Sequence, residues 1–265
     1  MSYPVDFTPD ERRRLLDAVL RLAHAAAAEI MTYYKGEMNV RKKDDSSPVT
    51  AADEAAEAII LPGLRALTPD IPVVAEEEIA NGKQVEVGDG PFWLVDPLDG
   101  TKEFIAHRDE FTVNIALVAA GHPVLGVVYA PALDLLYAAS GPGTAYRQRN
   151  DEAPVSIAAR PVPDDGAVAV GSRSHGDQKR MQALLEKERI RHVRISGSSI
   201  KFCMVAEGAA DVYPRYGHTR EWDTAAGHAV LAAAGGSVRT LDGKEMAYGK
   251  AHFLNDPFVA RGRDS

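Results

Sequence analysis

The sequence has little cysteine and no excess of basic charge. A single cysteine, Cys203, stands among 265 residues, so no internal disulfide can form and nothing indicates an oxidising compartment. Thirty lysines and arginines are outnumbered by 38 aspartates and glutamates, which leaves a net charge of -8. Because proteins bind nucleic-acid polymers largely through the phosphates, we do not expect so acidic a chain to bind one.

Long apolar runs are also scarce. The longest uncharged stretch, residues 111–133, is broken by Asn114 and by the Gly121-His122-Pro123 turn, so we interpret it as a buried hairpin and predict no membrane span. The first residues lack the apolar core of a signal peptide, which favours a cytoplasmic location and leaves peripheral association with a membrane open. The eight histidines include no closely spaced pair suited to zinc.

The hydrophobic pattern predicts two helices followed by an alternation of strands and helices. Thr8 and Glu11 match a capping box, with Pro9 at the first helical position, and an apolar stripe follows that Gly36 ends. A second helix is predicted from position 50 to 67. Short apolar runs bounded by proline, glycine and acids predict strands. The strands are predicted at 72–75, 92–95, 111–119, 124–130, 134–139, 144–147, 167–170, 192–195, 210–213 and 236–239, and the later helices at 177–188, 199–207 and 223–234.

The segment 150–166 is rich in proline, aspartate and alanine and is the best candidate boundary. It divides the chain into an N-terminal α+β half, residues 1–150, and a C-terminal α/β half, residues 151–265. We expect the two halves to form one compact catalytic unit.

Two aspartates follow the apolar strand predicted at 92–95, in the segment DPLDGT at 96–101. Pro97 fixes one backbone angle and Gly100 permits a tight turn, so Asp96, Asp99 and the Leu98 carbonyl can face one point at the end of a strand. Oxygen ligands of this kind favour Mg²⁺, and a shared carboxylate can bridge two ions about 3.5–4 Å apart. The same hexamer is also compatible with an ordinary solvated turn.

Three further acidic positions could join this point, and each has an ordinary explanation as well. The glutamates 76–78 follow a predicted strand, although such a run is commonly a solvated loop. Asp223 begins a predicted helix, where the helix dipole alone favours an acid. Asp53 fits a capping box with Thr50, and it can also orient a water through the Thr101 hydroxyl. The residue pattern leaves both interpretations of each position open.

Taken in order, these motifs resemble those of a known family. Asp53, the glutamates at 76–77, DPLDGT at 96–101 and WDTAAG at 222–227 are similar to the motif set of the lithium-sensitive, Mg²⁺-dependent inositol monophosphatase superfamily. Inositol monophosphatases usually have asparagine where Glu103 stands, so the resemblance favours the 3′(2′),5′-bisphosphate nucleotidase branch. It covers the chain to about position 255 and implies an α+β fold, the layered α-β-α-β-α sandwich of the sugar phosphatases.

The resemblance implies a metal site of oxygen ligands. Glu76, Asp96, the Leu98 carbonyl and Asp99 would hold the first Mg²⁺, and Asp223 would join Asp96 and Asp99 at a second. A third ion is left open.

The resemblance also implies catalytic residues. Asp53 would orient the Thr101 hydroxyl, which would position a metal-bound water beside Glu76. Glu76 is preferred to Glu77 because the family ligand is the first acid after the strand. The substrate phosphate would contact Leu98, Asp99, Gly100, Thr101 and Asp223.

The implied substrate is a nucleotide bisphosphate. The reaction would remove the 3′-phosphate of 3′-phosphoadenosine 5′-phosphate to give AMP. This compound is a by-product of sulfate assimilation, and the reaction would recycle it. The sulfated precursor of the compound is a second candidate substrate. Ser172, His175, Gly197 and Lys201 are the expected nucleotide contacts. Each segment also has an ordinary explanation. Residues 171–175 would form a strand-to-loop turn, and residues 197–201 would begin a helix whose lysine is solvated.

Two other functions compete with this interpretation. The first is an inositol or other sugar monophosphatase with the same metal site, and the second is a non-catalytic phosphate-binding protein. We expect a small-molecule partner and a monomer or a homodimer.

Overall fold

The structure is a computed structural model that describes residues 7–36, 40–42, 48–172 and 189–263. The helix predicted at 177–188 and the predicted contact His175 lie outside the described residues. None of the helices in the described ranges is long and apolar enough to cross a bilayer.

Two long helices begin the fold. Helix α1, Pro9–Lys35, has the predicted capping box, in which the Thr8 side chain accepts the Glu11 N–H and Glu11 accepts the Thr8 N–H at 2.7 Å. Helix α2, Ala51–Leu67, packs against α1. Their facing stripes contain many alanines, which lets the two helices approach closely and bury their apolar sides together.

A seven-stranded sheet lies against these helices. Its strands, in chain order and in spatial order alike, are β3 Val73–Ala75, β4 Phe92–Asp99, β5 Thr112–Ala119, β6 His122–Ala130, β7 Leu135–Ala139, β8 Tyr146–Arg149 and β9 Val155–Ser156. The first pair is parallel and the others are antiparallel. The predicted hairpin at 111–133 is confirmed as β5 and β6, which are buried over most of their length.

A five-stranded sheet forms the second β layer. In spatial order its strands are β11 Ile190–Ile195, β10 Ala167–Gly171, β12 Val212–Arg215, β16 Phe258–Arg261 and β14 Ser237–Thr240. Two short hairpins complete the strands, β1 Val40–Lys42 with β2 Pro48–Thr50, and β13 Thr219–Arg220 with β15 Leu254–Asn255. Strand β16 was not predicted from the sequence.

Short helices connect or separate the sheets. These are α3 Glu76–Ala80, α4 Thr101–Ile105, α5 Ile200–Ala206 and α6 Ala225–Ala233, with 3₁₀ turns at Pro131–Leu133 and Ala251–Phe253. Helices α5 and α6 lie between the two sheets, because one hydrophobic cluster includes residues of both helices and of both sheets. Gly126 of β6 allows this close packing, since a Cβ there would lie 2.5 Å from the Ala226 carbonyl oxygen of α6.

The described elements therefore form the layers α1/α2, seven-stranded sheet, α5/α6 and five-stranded sheet. This order agrees with the predicted α-β-α-β-α sandwich. Ala167, Ala169 and Val212 form a small apolar cluster within the five-stranded sheet. The helix predicted at 177–188 lies outside the described residues and stays a prediction.

Candidate active site

A cavity of about 380 Å³ lies where strand ends of both sheets meet the short helices. Most of the residues singled out from the sequence line it. The lining comprises Glu76, Asp96, Leu98, Asp99, Gly100, Thr101, Lys102, Glu103, Ser172, Gly197, Ser198, Lys201, Phe202, Tyr213, Arg215, His218, Thr219, Asp223 and Thr224.

The end of β4 supplies the centre of this site. The pairing of β4 with β5 is regular up to Asp96 and shifts in register before Asp99. Proline at position 97 and the N–H of Leu98, which donates to Asp96 at 3.0 Å, define this irregular turn. Gly100 has a φ of 93°, and a Cβ there would lie 3.1 Å from the Glu110 carbonyl oxygen, so the turn into α4 requires glycine.

Glu76 reaches the cavity from the neighbouring strand. Strand β3 pairs with β4 in parallel and ends at Ala75, and Glu76 is the first residue of α3. Two parallel strands therefore deliver Glu76 and the aspartates of β4 to the same edge of the sheet. Glu77 is buried with 4% of its surface exposed and is absent from the cavity lining. This placement favours the predicted choice of Glu76.

Asp223 comes from the C-terminal part of the chain, just before α6. Its carboxylate accepts the Arg220 N–H at 2.8 Å. Glu221, two residues before Asp223, is fully buried, and its two oxygens accept the N–H groups of Gly249 and Lys250 at 2.8 and 2.9 Å. The loop that carries Asp223 is thus tied to a segment more than twenty residues further along.

Asp53 and Thr101 are also brought together. Asp53 is 1% exposed on α2, and the Thr101 hydroxyl lies 3.3 Å from one of its oxygens and 3.3 Å from the Leu98 carbonyl oxygen. The alternative capping role of Asp53 involves the side chain of Thr50, which lies outside the described side chains.

We call Glu76, Asp96, Asp99 and Asp223 the acidic wall of the cavity. Desolvation and then the charges of Glu76, Asp99 and Asp223 raise the pKa of Asp96 well above its ordinary value. Desolvation likewise raises the pKa of Asp223, with further contributions from Asp99 and Glu76. The pKa of Asp99 rises to about 6 because desolvation outweighs the favourable charge of Lys201. The acidic wall therefore concentrates negative charge that a cation would stabilise.

The donor set fits Mg²⁺. Carboxylate oxygens and the Leu98 carbonyl are hard ligands, and the cavity lining adds one imidazole, that of His218, and no cysteine. Over the part of the chain that the structure describes, no group of three or more His, Cys, Asp or Glu side chains is arranged to hold a metal ion. Mg²⁺ usually keeps several waters and is bound together with substrate phosphate, so the carboxylates of the acidic wall would complete its coordination only with those partners.

A basic wall, formed by Lys201 and Arg215, lies in the same cavity. Lys201 is 4% exposed on α5 and donates to the backbone carbonyls of Ser196, at 3.4 Å, and of Ser198. Its ammonium also lies 5.4 Å from the centroid of the Tyr213 ring. Desolvation lowers the pKa of Lys201 to about 8, although Asp99 opposes this shift.

Two other predicted nucleotide contacts, Ser172 and Gly197, line the cavity as well. A Cβ on Gly197 would lie 2.7 Å from the Glu110 carbonyl oxygen and 2.9 Å from Cγ of Glu103, so this segment passes close to α4. The cavity also includes Arg215, Tyr213 and His218, none of which was among the predicted site residues. An arginine at the end of an apolar strand in so acidic a chain was the available signal for Arg215.

The fold is that of a phosphatase family. The inositol monophosphatase family matches residues 11–261, and the chain belongs to this family. Phosphatases of the family depend on metal ions, generally Mg²⁺.

Similar proteins show which branch of the family the chain resembles, the 3′(2′),5′-bisphosphate nucleotidases. The 3′(2′),5′-bisphosphate nucleotidase CysQ of Escherichia coli K12 is 48% identical over 250 residues, which cover 92% of this chain and 98% of that protein. The solved structure of CysQ from Bacteroides thetaiotaomicron is 35% identical with a TM-score of 0.79, covering 95% of this chain and 98% of that one. The IMPase of Thermotoga maritima has a TM-score of 0.74 at 27% identity, covering 94% of this chain and 92% of its own. The family and the branch inferred from the motifs are confirmed.

Proposed function

We propose that the protein is a Mg²⁺-dependent 3′(2′),5′-bisphosphate nucleotidase that removes the 3′-phosphate of 3′-phosphoadenosine 5′-phosphate and releases AMP and phosphate. The observation that carries the proposal is the pairing of the acidic wall and the basic wall in one cavity. The acidic wall suits a phosphate accompanied by metal ions, and the basic wall suits a second anionic group on the same molecule. A bisphosphate carries both groups, whereas a simple monophosphate carries one. The sulfated precursor of the substrate would also present both.

The metal ligands in this proposal are the residues of the acidic wall and the Leu98 carbonyl. Glu76, Asp96, Asp99 and the carbonyl would hold one Mg²⁺, and Asp96, Asp99 and Asp223 a second. When bound, the ions would activate a water and neutralise the charge that develops on the phosphoryl group and the leaving oxygen.

Thr101 and Asp53 have a separate task, which is to orient that water. The Thr101 hydroxyl can donate its proton to Asp53, 3.3 Å away, and its lone pairs are then free to accept a hydrogen bond from a water in the cavity. Asp53, almost fully buried on a helix, offers the hydroxyl one acceptor, and the Leu98 carbonyl oxygen offers a second at the same distance of 3.3 Å. Glu76 lies on the cavity lining and would accept a proton from the same water.

Backbone groups and the basic wall would hold the two phosphates. The N–H groups of Gly100 and Thr101 lie at the turn into α4 and would bind oxygens of the phosphate that reacts. Lys201 and Arg215 would bind the other phosphate, and Ser172 and Gly197, which line the same cavity, would contact the nucleotide beside it.

The test is phosphate release from 3′-phosphoadenosine 5′-phosphate and from inositol 1-phosphate, measured side by side with Mg²⁺ and then with added Li⁺. We expect a strong preference for the bisphosphate and inhibition by Li⁺. A preference for inositol 1-phosphate would preserve the metal site and reject the proposed substrate. Release from neither compound by folded, Mg²⁺-loaded protein would reject the enzyme itself.

A further inference from the structure

A buried carboxylate outside the cavity holds the segment that presents Glu76. Glu57 lies on α2 with 6% of its surface exposed, and it does not line the cavity. One of its oxygens accepts the N–H of Glu77 and the other accepts the N–H of Glu78, both at 2.9 Å. These two residues directly follow Glu76 at the start of α3.

Helix α3 depends on this external partner. The first N–H groups of a helix have no acceptor within the helix, and a side chain at the N-cap usually supplies one. Here the N-cap is Ala75, which has no side-chain acceptor. Glu57 takes that role from a helix twenty residues earlier in the sequence, and with both oxygens engaged it fixes the orientation of the first turn of α3.

The same helix positions a second part of the site. Asp53 and Glu57 are four residues apart on α2, so they project from the same face about one helical turn apart. Asp53 contacts Thr101 after β4, and Glu57 contacts the residues next to Glu76 after β3. One rigid helix face therefore spans two strand ends of the acidic wall.

We propose that Glu57 is a positioning residue that orients Glu76 for metal binding by fixing the first turn of α3. The inference rests on the proposed function insofar as Glu76 is a metal ligand. Without Glu57 the first turn of α3 would lose two hydrogen bonds, and Glu76 would no longer be held toward the other carboxylates. The affinity for metal should then fall clearly, while the melting temperature of the protein should change little.

The test compares Mn²⁺ binding by calorimetry and by electron paramagnetic resonance in the wild type and in Glu57→Gln. The glutamine keeps the size of the side chain but turns an NH₂ donor toward one backbone N–H. We expect the dissociation constant for Mn²⁺ to rise about 10-fold. The Mg²⁺ concentration for half-maximal activity should rise by a similar factor, with a smaller change in kcat at saturating Mg²⁺.

Two control variants separate positioning from general stability. Glu54→Gln removes the same charge from an exposed position of the same helix and should leave Mn²⁺ binding unchanged. Ile60→Val trims a fully buried side chain of the same helix, and it should lower the melting temperature without changing Mn²⁺ affinity. If Glu57→Gln does not fold, Glu57→Asp replaces it, because the shorter side chain keeps the charge but cannot reach both N–H groups.

The outcomes are distinct. Wild-type Mn²⁺ affinity in a folded Glu57 variant, or an equal loss of affinity in Ile60→Val, would overturn the inference and leave the proposed function standing. A wild-type protein that binds no Mn²⁺ would overturn both.

Discussion

The acidic wall and the basic wall of the cavity are built in different ways. The acidic wall draws on two adjacent strands, since Glu76 and the aspartates of β4 occupy neighbouring strand ends, and Asp223 completes it from the start of α6. The basic wall comes from α5 and β12, and its lysine is held by backbone carbonyls instead of acidic side chains. Oriented carbonyl dipoles thus hold Lys201 while leaving its charge available to a ligand.

The two walls also differ in what they need from a ligand. In the acidic wall like charges and desolvation raise the pKa values of Asp96 and Asp223, and a cation would relieve this repulsion. In the basic wall desolvation lowers the pKa of Lys201 to about 8, and an anion would oppose that shift. A metal ion and a phosphate therefore complement opposite walls, and each wall can be broken separately.

Removal of a charge from the acidic wall should have the largest effect. We expect Asp99→Asn to lower kcat by more than about 100-fold, because loss of a direct ligand exceeds the 10–100-fold typical of groups that only support one. The variant should remain folded, because in the absence of metal the desolvated negative charge of Asp99 destabilises the folded protein, and asparagine removes that charge. Phosphate release measured with circular dichroism of the same sample checks both statements. A folded Asp99→Asn protein with normal turnover would exclude the proposed metal site.

Removal of the charge from the basic wall should affect binding of the bisphosphate. Lys201→Ala should raise the KM for 3′-phosphoadenosine 5′-phosphate about 10-fold or more, because a hydrogen bond to a charged group is worth about 1.5–3 kcal/mol. The KM for a monophosphate should change less. Steady-state kinetics with both substrates make the comparison, and Lys244→Ala, at an exposed ion pair with Asp242, is the control. An unchanged KM for the bisphosphate would remove Lys201 from the proposed contacts.

The smallest expected effect is on thermal stability in a chelator. The pKa of Asp99 is raised to about 6 in the folded protein, so the folded state binds more protons than the unfolded chain between about pH 4 and pH 6. This contribution to stability is fully present below about pH 4 and is lost as the pH rises through about 6. As the pH rises from about 4 to about 7, its loss should lower the melting temperature by about 2–4 °C for each kcal/mol of stability lost, and Mg²⁺ should reverse the change.

The control for this effect is the difference between the wild type and Asp99→Asn. His228, whose pKa burial lowers to about 3, acts in the opposite direction below pH 6.5, but it is common to both proteins and cancels. Differential scanning calorimetry with EDTA and with Mg²⁺ measures the difference. Identical pH dependence in the two proteins would show that Asp99 neither carries a raised pKa nor raises the pKa of Asp96 and Asp223.

Local signals were sufficient for several parts of the prediction. The capping box of α1, the hairpin of β5 and β6 and the turn at 96–101 each depend on neighbouring residues, and the structure contains all three. The choice of Glu76 over Glu77 came from the family resemblance, and the cavity lining agrees with it. The sequence puts Arg215 near the WDTAAG motif, where it could approach a phosphate, but it does not show which parts of the chain surround this arginine, so Arg215 is not among the predicted site residues.

The sequence by itself determined most of the longer elements, the carboxylates that follow strands and the family, because these depend on periodicity, turn residues and short motifs. The tertiary structure decided which carboxylates share a cavity, that Lys201 and Arg215 stand in the same cavity, and that Glu57 supports α3 from outside the site. The reason is physical. Burial, hydrogen bonding and the repulsion between charges depend on distances between residues far apart in sequence, and those distances exist only after the two sheets and their helices have packed together.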